Sequence, residues 1–340
     1  MFKQTLKRQL NIKILFDTND ILNYLQLGTV IPILKELYQY ILHDLECFNA
    51  KSILLEEDGN PVGHSLIFHD NRDTLYFGHF GVLNHEIHKI DLMIEQIIKY
   101  GEEHGYKEIR GPINIPAIIY GWGFMKKGSL TSLFIGKPVN PSVYQERFFE
   151  KGFSIKYEEN TWEGYMPRIN PWKLKNYDFN DYEYFNPRDW NELMQLKDKF
   201  IELQLKNLPS SARITPSAED FFETYADFVF KYGSESMFFF IKDKIKDKIV
   251  ACGANIPNPF RKDSKGNYNS IVYYTWVVDP EYRRKGLTIL MYGATSLLMW
   301  KKKIRYSSGS VASDNIANTE VAKALGAVHT RTHFILEYKL

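Results

Sequence analysis

The chain has 340 residues, enough for two compact domains that each bury a core of their own. Its 44% hydrophobic and 25% charged residues are ordinary for a globular protein. Forty-three Lys and Arg against 41 Asp and Glu leave a net charge of +2, which argues against nucleic acid or an anionic membrane as the main partner.

From Met1 to Phe16 charged and apolar residues alternate, so no signal peptide is expected. No run approaches the ~18 apolar residues of a membrane span. The two cysteines, Cys47 and Cys252, lie far apart in apolar surroundings and suggest neither a disulfide framework nor a metal cluster. The expected setting is cytoplasmic. Strands are predicted at 51–56, 62–69 and 74–82, then a helix over 87–104 and a strand at 107–110. A glycine-rich stretch follows, Arg110-Gly111-Pro112-Ile113-Asn114 and Tyr120-Gly121-Trp122-Gly123-Phe124, and a helix at 144–151 ends at Gly152-Phe153. Met166-Pro167-Arg168-Ile169-Asn170-Pro171 places two prolines in a short polar stretch, which ends the preceding strand and suggests domains at 1–166 and 172–340.

The second half reads as a strand at 182–185 and a helix capped by Asn186 with Pro187 at its first position. That helix carries Trp190, Leu193, Met194, Phe200 and Ile201 and stops before Pro209. Another begins at Thr215-Pro216 and ends at Gly233. Strands at 237–241 and 249–255 form a hairpin, and a polar loop over 257–270 leads to an aromatic, β-branched strand at 271–278. A helix at 286–302, a strand at 306–311, a helix at 315–325 and a strand at 328–338 complete the order β-α-α-β-β-β-α-β-α-β. The first half repeats this order less clearly. The fold class expected is α/β: two copies of one domain, each a mixed, mostly antiparallel twisted sheet flanked by helices.

The chemistry concentrates in Val278-Asp279-Pro280-Glu281-Tyr282-Arg283-Arg284-Lys285-Gly286-Leu287-Thr288. A strand runs through a proline turn into a basic, glycine-containing loop at a helix start. The unpaired N–H groups there carry the positive end of the helix dipole and can cradle a pyrophosphate. Gly286 allows close approach, and Arg283, Arg284 and Lys285 can meet phosphate oxygens.

This segment resembles the GNAT N-acetyltransferase superfamily, whose signature is Arg/Gln-x-x-Gly-x-Gly/Ala after such a strand. Here it reads Arg283-x-x-Gly286-x-Thr288, with Thr departing from the pattern at the last position. The resemblance covers the whole second half and implies acetyl-CoA or another acyl-CoA as co-substrate, with no metal. It implies that Arg283 to Thr288, Leu287 included, hold the pyrophosphate. It also implies that Trp276 and Val278 present strand backbone to the pantetheine arm, with one N–H facing the thioester oxygen. In Ser313-Asp314-Asn315-Ile316-Ala317-Asn318 the family places an Asn that bonds the arm; Asn315 fits first and Asn318 second. The competing reading is a helix N-cap by Asp314 or Asn315, and the two roles can coexist.

The acid and base are harder to place. Many relatives use a Glu on the fourth strand and a Tyr four residues before the glycine ending the last helix. Strand 271–278 has no carboxylate, and the Tyr position is Ala322. Tyr273, Tyr274, His329 and His333 stand nearby in such a fold; Tyr274 and His333 are the catalytic candidates, against packed roles for each. The first half lacks the cradle, reading Leu83-Asn84-His85-Glu86-Ile87-His88 in its place, so no cofactor is expected there. Together with Gly152-Phe153, its glycine-rich stretch resembles proteins built of two GNAT-like halves. Tyr120, Trp122 and Asn114 are therefore candidate acceptor-binding residues, against a packed loop as the alternative.

The function expected is acyl-CoA-dependent acetylation of a primary amine, on a small molecule or a peptide, with the first half shaping the acceptor site. Two alternatives stand beside it. One is a non-catalytic acyl-CoA-binding protein. The other is an aminoacyl-tRNA-dependent transferase of the paired-GNAT type, which the cradle argues against.

Overall fold

The computed structural model describes residues 9–27, 31–69, 73–128, 133–166, 177–207, 228 and 235–340. They form two compact units: the chain up to Glu158 joined by Thr332–Leu340, and Glu159–Arg331. The division differs from the expected domains, 1–166 and 172–340, and residues 167–171 lie outside the described residues. The units follow the ladder pairing. A strand of the first half and the last strand of the chain each contribute to both.

In the first unit, β1 (Leu10–Leu15), β2 (Lys51–Glu57), β3 (Asn60–Phe68) and β4 (Thr74–Val82) pair antiparallel in sequence order. Between β1 and β2 come α1 (Thr18–Tyr24), capped by the Asp17 side chain, and α2 (Tyr38–Cys47). Helix α3 (Ile87–Glu103) then carries the chain to β5 (Glu108–Gly111), which lies parallel to β4. Ile90, Met93, Ile94 and Ile97 of α3 recur at helical spacing and are fully buried. They meet a cluster of rings that includes Phe77, Phe148 and Phe153, with Phe77 stacked 4.8 Å from Phe148. A short helix α4 (Ala117–Tyr120), β6 (Phe124–Lys127) and α5 (Ser142–Glu150) follow. The strand next to β5 is the C-terminal segment, paired Leu336↔Gly111 through Lys339↔Glu108.

The second unit takes Glu159–Tyr165 from β7 (Ser154–Tyr165). Strands β8 (Tyr182–Phe185), β9 (Phe238–Asp243), β10 (Lys248–Pro257) and β11 (Ser270–Val278) pair antiparallel in order. Helices α6 (Trp190–Gln195) and α7 (Lys197–Asn207) precede β9, with Phe200 packed on Phe238 and Phe240. Helix α8 (Leu287–Lys301) crosses to β12 (Tyr306–Ala312), parallel to β11, and buries Leu287 and Met291 against Phe239, Ile241 and Val250. β12 pairs antiparallel with β7, Tyr306↔Tyr165 to Ala312↔Glu159. Helix α9 (Ile316–Ala324) leads to β13 (Val328–Lys339), whose first residues belong to this unit and whose remainder completes the other.

The strands of each unit follow one plan: four antiparallel strands, a helical crossover to a parallel fifth, then a borrowed strand. The cap expected at Asn186 is displaced. Asn186 Nδ2 donates to the Phe238 carbonyl at 2.6 Å, and Asp189 caps instead, accepting from the Glu192 N–H at 2.9 Å. The helix also breaks at Leu196, and the helix expected from Thr215-Pro216 lies outside the described residues.

Candidate functional site

Strands β11 and β12 are paired from Ser270↔Tyr306 to Tyr273↔Gly309, and there the register ends although both strands continue. A bulge accompanies the separation. On the other edge of β11, Ala254 pairs with Tyr274 and Cys252 with Val277, so two residues oppose the single Gly253. A Cβ at Gly253 would lie 2.6 Å from the Trp276 ring and 2.7 Å from Phe239. Trp276 donates its indole N–H to the Ala254 carbonyl at 3.3 Å and packs among Phe239, Tyr273 and Tyr292. These contacts hold the bulge. One backbone edge of β11 beyond Tyr273 is left without β12.

The open edge runs into the basic loop. Asp279 ends the strand as a buried carboxylate, accepting from the Glu281 N–H at 3.1 Å and from Lys248 and Lys206 at 3.1 and 3.3 Å. Burial opposes its ionisation, but these donors outweigh it and hold the carboxyl below its usual range. Tyr282, also buried, donates to Asp243 at 2.9 Å and anchors the turn. Arg284 and Gly286 then adopt left-handed backbone, φ 66° and 76°. Alternation of this kind turns successive amides toward one side. Gly286 is the N-cap of α8 and offers no side-chain cap, so the first amides of a 15-residue helix face outward beside three exposed cations.

Arg283 is held by Asn207 Oδ1 at 2.7 Å, and the Lys285 ammonium lies 4.5 Å over the Tyr282 ring. Leu287 is buried in the core and contributes backbone only; Thr288 is half-buried. The ring of Tyr177 rests against Gly286, where a Cβ would stand 2.7 Å from Tyr177 Cε1. Sequence reasoning missed this neighbour, since nothing in the local pattern ties position 177 to 286.

Asn315 caps α9, accepting from the Asn318 N–H at 3.1 Å, and both residues are exposed. The capping reading is the one seen. The Asn315 amide nitrogen is not used by the cap.

The two catalytic candidates separate. Tyr274 lies in the second unit, at the first position beyond the last β11–β12 pair. Burial, then the negative charge of Glu159, raises its hydroxyl well above the usual tyrosine range. His333 lies in the first unit, fully buried, with Nε2 donating to the Pro138 carbonyl at 2.8 Å. His333 is therefore a core residue, committed to its own unit. His329 bonds the Arg331 carbonyl at 2.9 Å. Among the described residues no three His, Cys, Asp or Glu side chains are grouped to hold a metal ion, and no helix is long and apolar enough to cross a membrane.

No protein-family model matches the sequence, and no curated protein matches it. Solved structures do match its shape. One is a tandem GNAT protein from the clavulanic acid biosynthesis pathway, 12% identical, with a TM-score of 0.61 over 97% of this chain and 98% of that one. A second is a GCN5-related N-acetyltransferase from Sphaerobacter thermophilus, 8% identical, with a TM-score of 0.58 over 96% and 95%. A third is a glucosamine N-acetyltransferase region of a fungal multi-domain β-N-acetylglucosaminidase, 13% identical, with a TM-score of 0.64; it covers 98% of this chain but 38% of that one.

The chain has a tandem GNAT fold.

Within this tandem GNAT fold the first unit has the same fork, and its own chain fills it. Beyond Tyr76↔Arg110, the Ile113 N–H donates to the Phe77 carbonyl at 2.7 Å, and Asn114 Oδ1 accepts from the His79 N–H at 2.6 Å. Gly78 permits this approach, because a Cβ there would overlap the Ile113 carbonyl. Asn114 also donates to the Tyr120 carbonyl at 3.2 Å, and Tyr120 is buried. Trp122 bridges Ile113, with the Lys137 ammonium 5.6 Å from its ring. Asn114, Tyr120 and Trp122, expected to bind an acceptor, thus hold the plug together. Asn114 and Tyr120 also line a pocket of about 500 Å³, solvent-open space included, with His79, Phe80 and Tyr144. His85 bonds Tyr144 at 3.0 Å, and His88 lies 3.9 Å from Glu86.

Proposed function

We propose that the second unit binds acetyl-CoA, or another acyl-CoA, and transfers the acyl group to a primary amine. One observation carries this reading: the forked edge of β11 leads directly into the Arg283–Thr288 loop at the start of α8. A linear thioester with a diphosphate at one end needs both features, in line. The N-acetyltransferase names of the solved neighbours support the reaction class.

The outward amides at Gly286–Thr288, with Arg283, Arg284 and Lys285, neutralise the pyrophosphate. The arm then lies along β11 and bonds backbone groups at Trp276 and Val278 in the place a strand would take. Asn315, and beside it Asn318, offer amide groups to the arm. A β11 N–H directed at the thioester oxygen stabilises the charge that grows there during attack. Tyr274, kept protonated by its buried setting, supplies a proton to the departing thiolate.

Isothermal calorimetry with acetyl-CoA, followed by thiol release in the presence of primary amines, tests both steps. Binding with turnover is expected. Binding without thiol release would leave the acyl-CoA-binding reading, and absence of binding would refute both.

A further inference from the structure

Strand β11 has no carboxylate, and an amine acceptor arrives protonated. The sheet itself shows where a base can come from. Val272 pairs with Ser308, and Ser308 with Glu163, so these three share a face. Side chains return to one face every second residue. Two steps on, that face carries Tyr274 on β11 and the pair Ser310↔Thr161; two more bring Ala312↔Glu159. The hydroxyls of Thr161 and Ser310 stand 3.1 Å apart. This is also the face of Ala254, paired with Tyr274, whereas Tyr273 and Trp276 meet Tyr292 of α8 on the other.

Two carboxylates lie on this face of β7. Glu163 sits level with Ser308, where β11 and β12 are still paired. It is engaged by Thr330 at 2.7 Å and by Arg331 at 3.3 Å. Glu159 sits beyond the fork on the face that carries Tyr274, is buried at 3% exposure, and its charge, after burial, helps to raise that hydroxyl. Glu159 thus places a buried carboxyl group on the face of the open edge, where an ammonium group can be received.

We propose that Glu159 is the catalytic base of the second unit, and that the acceptor is a cationic primary amine received on the face bearing Tyr274, Thr161, Ser310 and Glu159. The proposal rests on the acyl-transfer reading given above. The ammonium gives one proton to the Glu159 carboxylate. The freed amine forms the N–C bond to the thioester carbonyl, and the C–S bond breaks as the tetrahedral adduct collapses. The thiolate takes a proton from Tyr274, Tyr274 recovers the second proton of the nitrogen, and Glu159 returns its proton to solvent. The base of the C-terminal catalytic unit thus comes from a strand of the N-terminal half.

Two small nucleophiles test this with acetyl-CoA at neutral pH: methylamine, which is protonated and needs a base, and hydroxylamine, which is neutral and does not. In Glu159→Gln, thiol release with methylamine should fall ~100-fold or more, while hydroxylamine turnover stays within about threefold of wild type. Calorimetry should give an unchanged dissociation constant for acetyl-CoA, which also reports folding. If Glu159→Gln does not fold, Glu159→Asp carries the same comparison, with methylamine again losing more than hydroxylamine. Equal losses with both nucleophiles, or no loss with either, would overturn the assignment. Wild-type protein that binds acetyl-CoA yet releases no thiol with either nucleophile would refute the transferase reading itself.

Discussion

Gly286 is the residue on which the cofactor assignment can be tested most sharply. Its φ of 76° is left-handed, so any side chain there costs about 1–2 kcal/mol, and the Tyr177 ring must also give way. At about 2–4 °C per kcal/mol for a unit of this size, the unliganded Gly286→Glu protein should melt roughly 2–8 °C lower. The ligand effect is separate. With acetyl-CoA at about 100 times its dissociation constant, wild type gains ~2.7 kcal/mol. By the same conversion that is roughly 5–11 °C. The carboxylate introduced by Gly286→Glu would face the pyrophosphate and abolish the gain. Gly286→Ala bears the backbone cost without the charge and should keep part of it. Differential scanning fluorimetry with and without acetyl-CoA measures both effects. A Gly286→Glu protein that gains as much as wild type would refute the cradle.

Acid should weaken the first unit well before it touches the cradle turn. Burial lowers His64 to about 3 and His79 to about 4 from an ordinary 6.5, so both are neutral when folded and gain protons on unfolding. Their stabilisation is complete above 6.5 and falls with pH by ~1.4 kcal/mol per pH unit for each, down toward their folded values. Urea midpoints at pH 7 and pH 5 should differ accordingly, and a flat profile would contradict neutral burial. Asp279 is shifted in the same sense, at lower pH: its depressed carboxyl contributes stability above the ordinary 3.8 that is lost as pH falls below it. Asp279→Asn should cost about 1.5–3 kcal/mol at neutral pH, measured by denaturation, because the amide keeps one acceptor for the Glu281 N–H but loses the charge that holds Lys206 and Lys248. Because Asn114 and Ile113 fill the fork of the first unit, calorimetry should find one acetyl-CoA per chain, and a second equivalent would refute the plug.

Much of the second half was legible because its signals are local. Asp279-Pro280 followed by Arg283-x-x-Gly286 constrains the backbone within a few residues, and the loop forms where those residues require it. Where the sequence misled, a tertiary partner outbid a local one: the Phe238 carbonyl takes the Asn186 amide, so the helix waits for Asp189. The plug of the first unit was not legible, since only the fold shows that Gly78 faces the Ile113 carbonyl. Glu159 was hidden for the same reason. A period of two assigns it to one side of β7, but its relation to Tyr274 depends on the registers of two ladders joined through β12.

The strand exchange is the largest feature that local pattern conceals. Residues 328–338 read as a strand, and they are one, yet alternation cannot say which sheet receives it. The consequence is a test between two ways of cutting the chain. A fragment of residues 172–340, cut at the prolines, lacks Glu159–Tyr165 and leaves β12 without the seven partners from Tyr306↔Tyr165 to Ala312↔Glu159. It also keeps Phe334, Ile335 and Leu336, apolar residues buried only in the other unit. A fragment of residues 159–331 keeps every strand of the second unit and drops that apolar tail. The first unit suffers in either case, because it loses those three side chains and the partner of β5. At about 2–5 kcal/mol for each large side chain, the loss is comparable with the ~5–15 kcal/mol that holds a domain together. Fragment 159–331 should therefore be monomeric, melt cooperatively and bind acetyl-CoA, while 172–340 aggregates. Residues 1–158 should fold only when a peptide of residues 328–340 is added. Cooperative folding of 172–340 with full acetyl-CoA affinity would show that the exchanged strand is dispensable and that the proline stretch marks the true boundary.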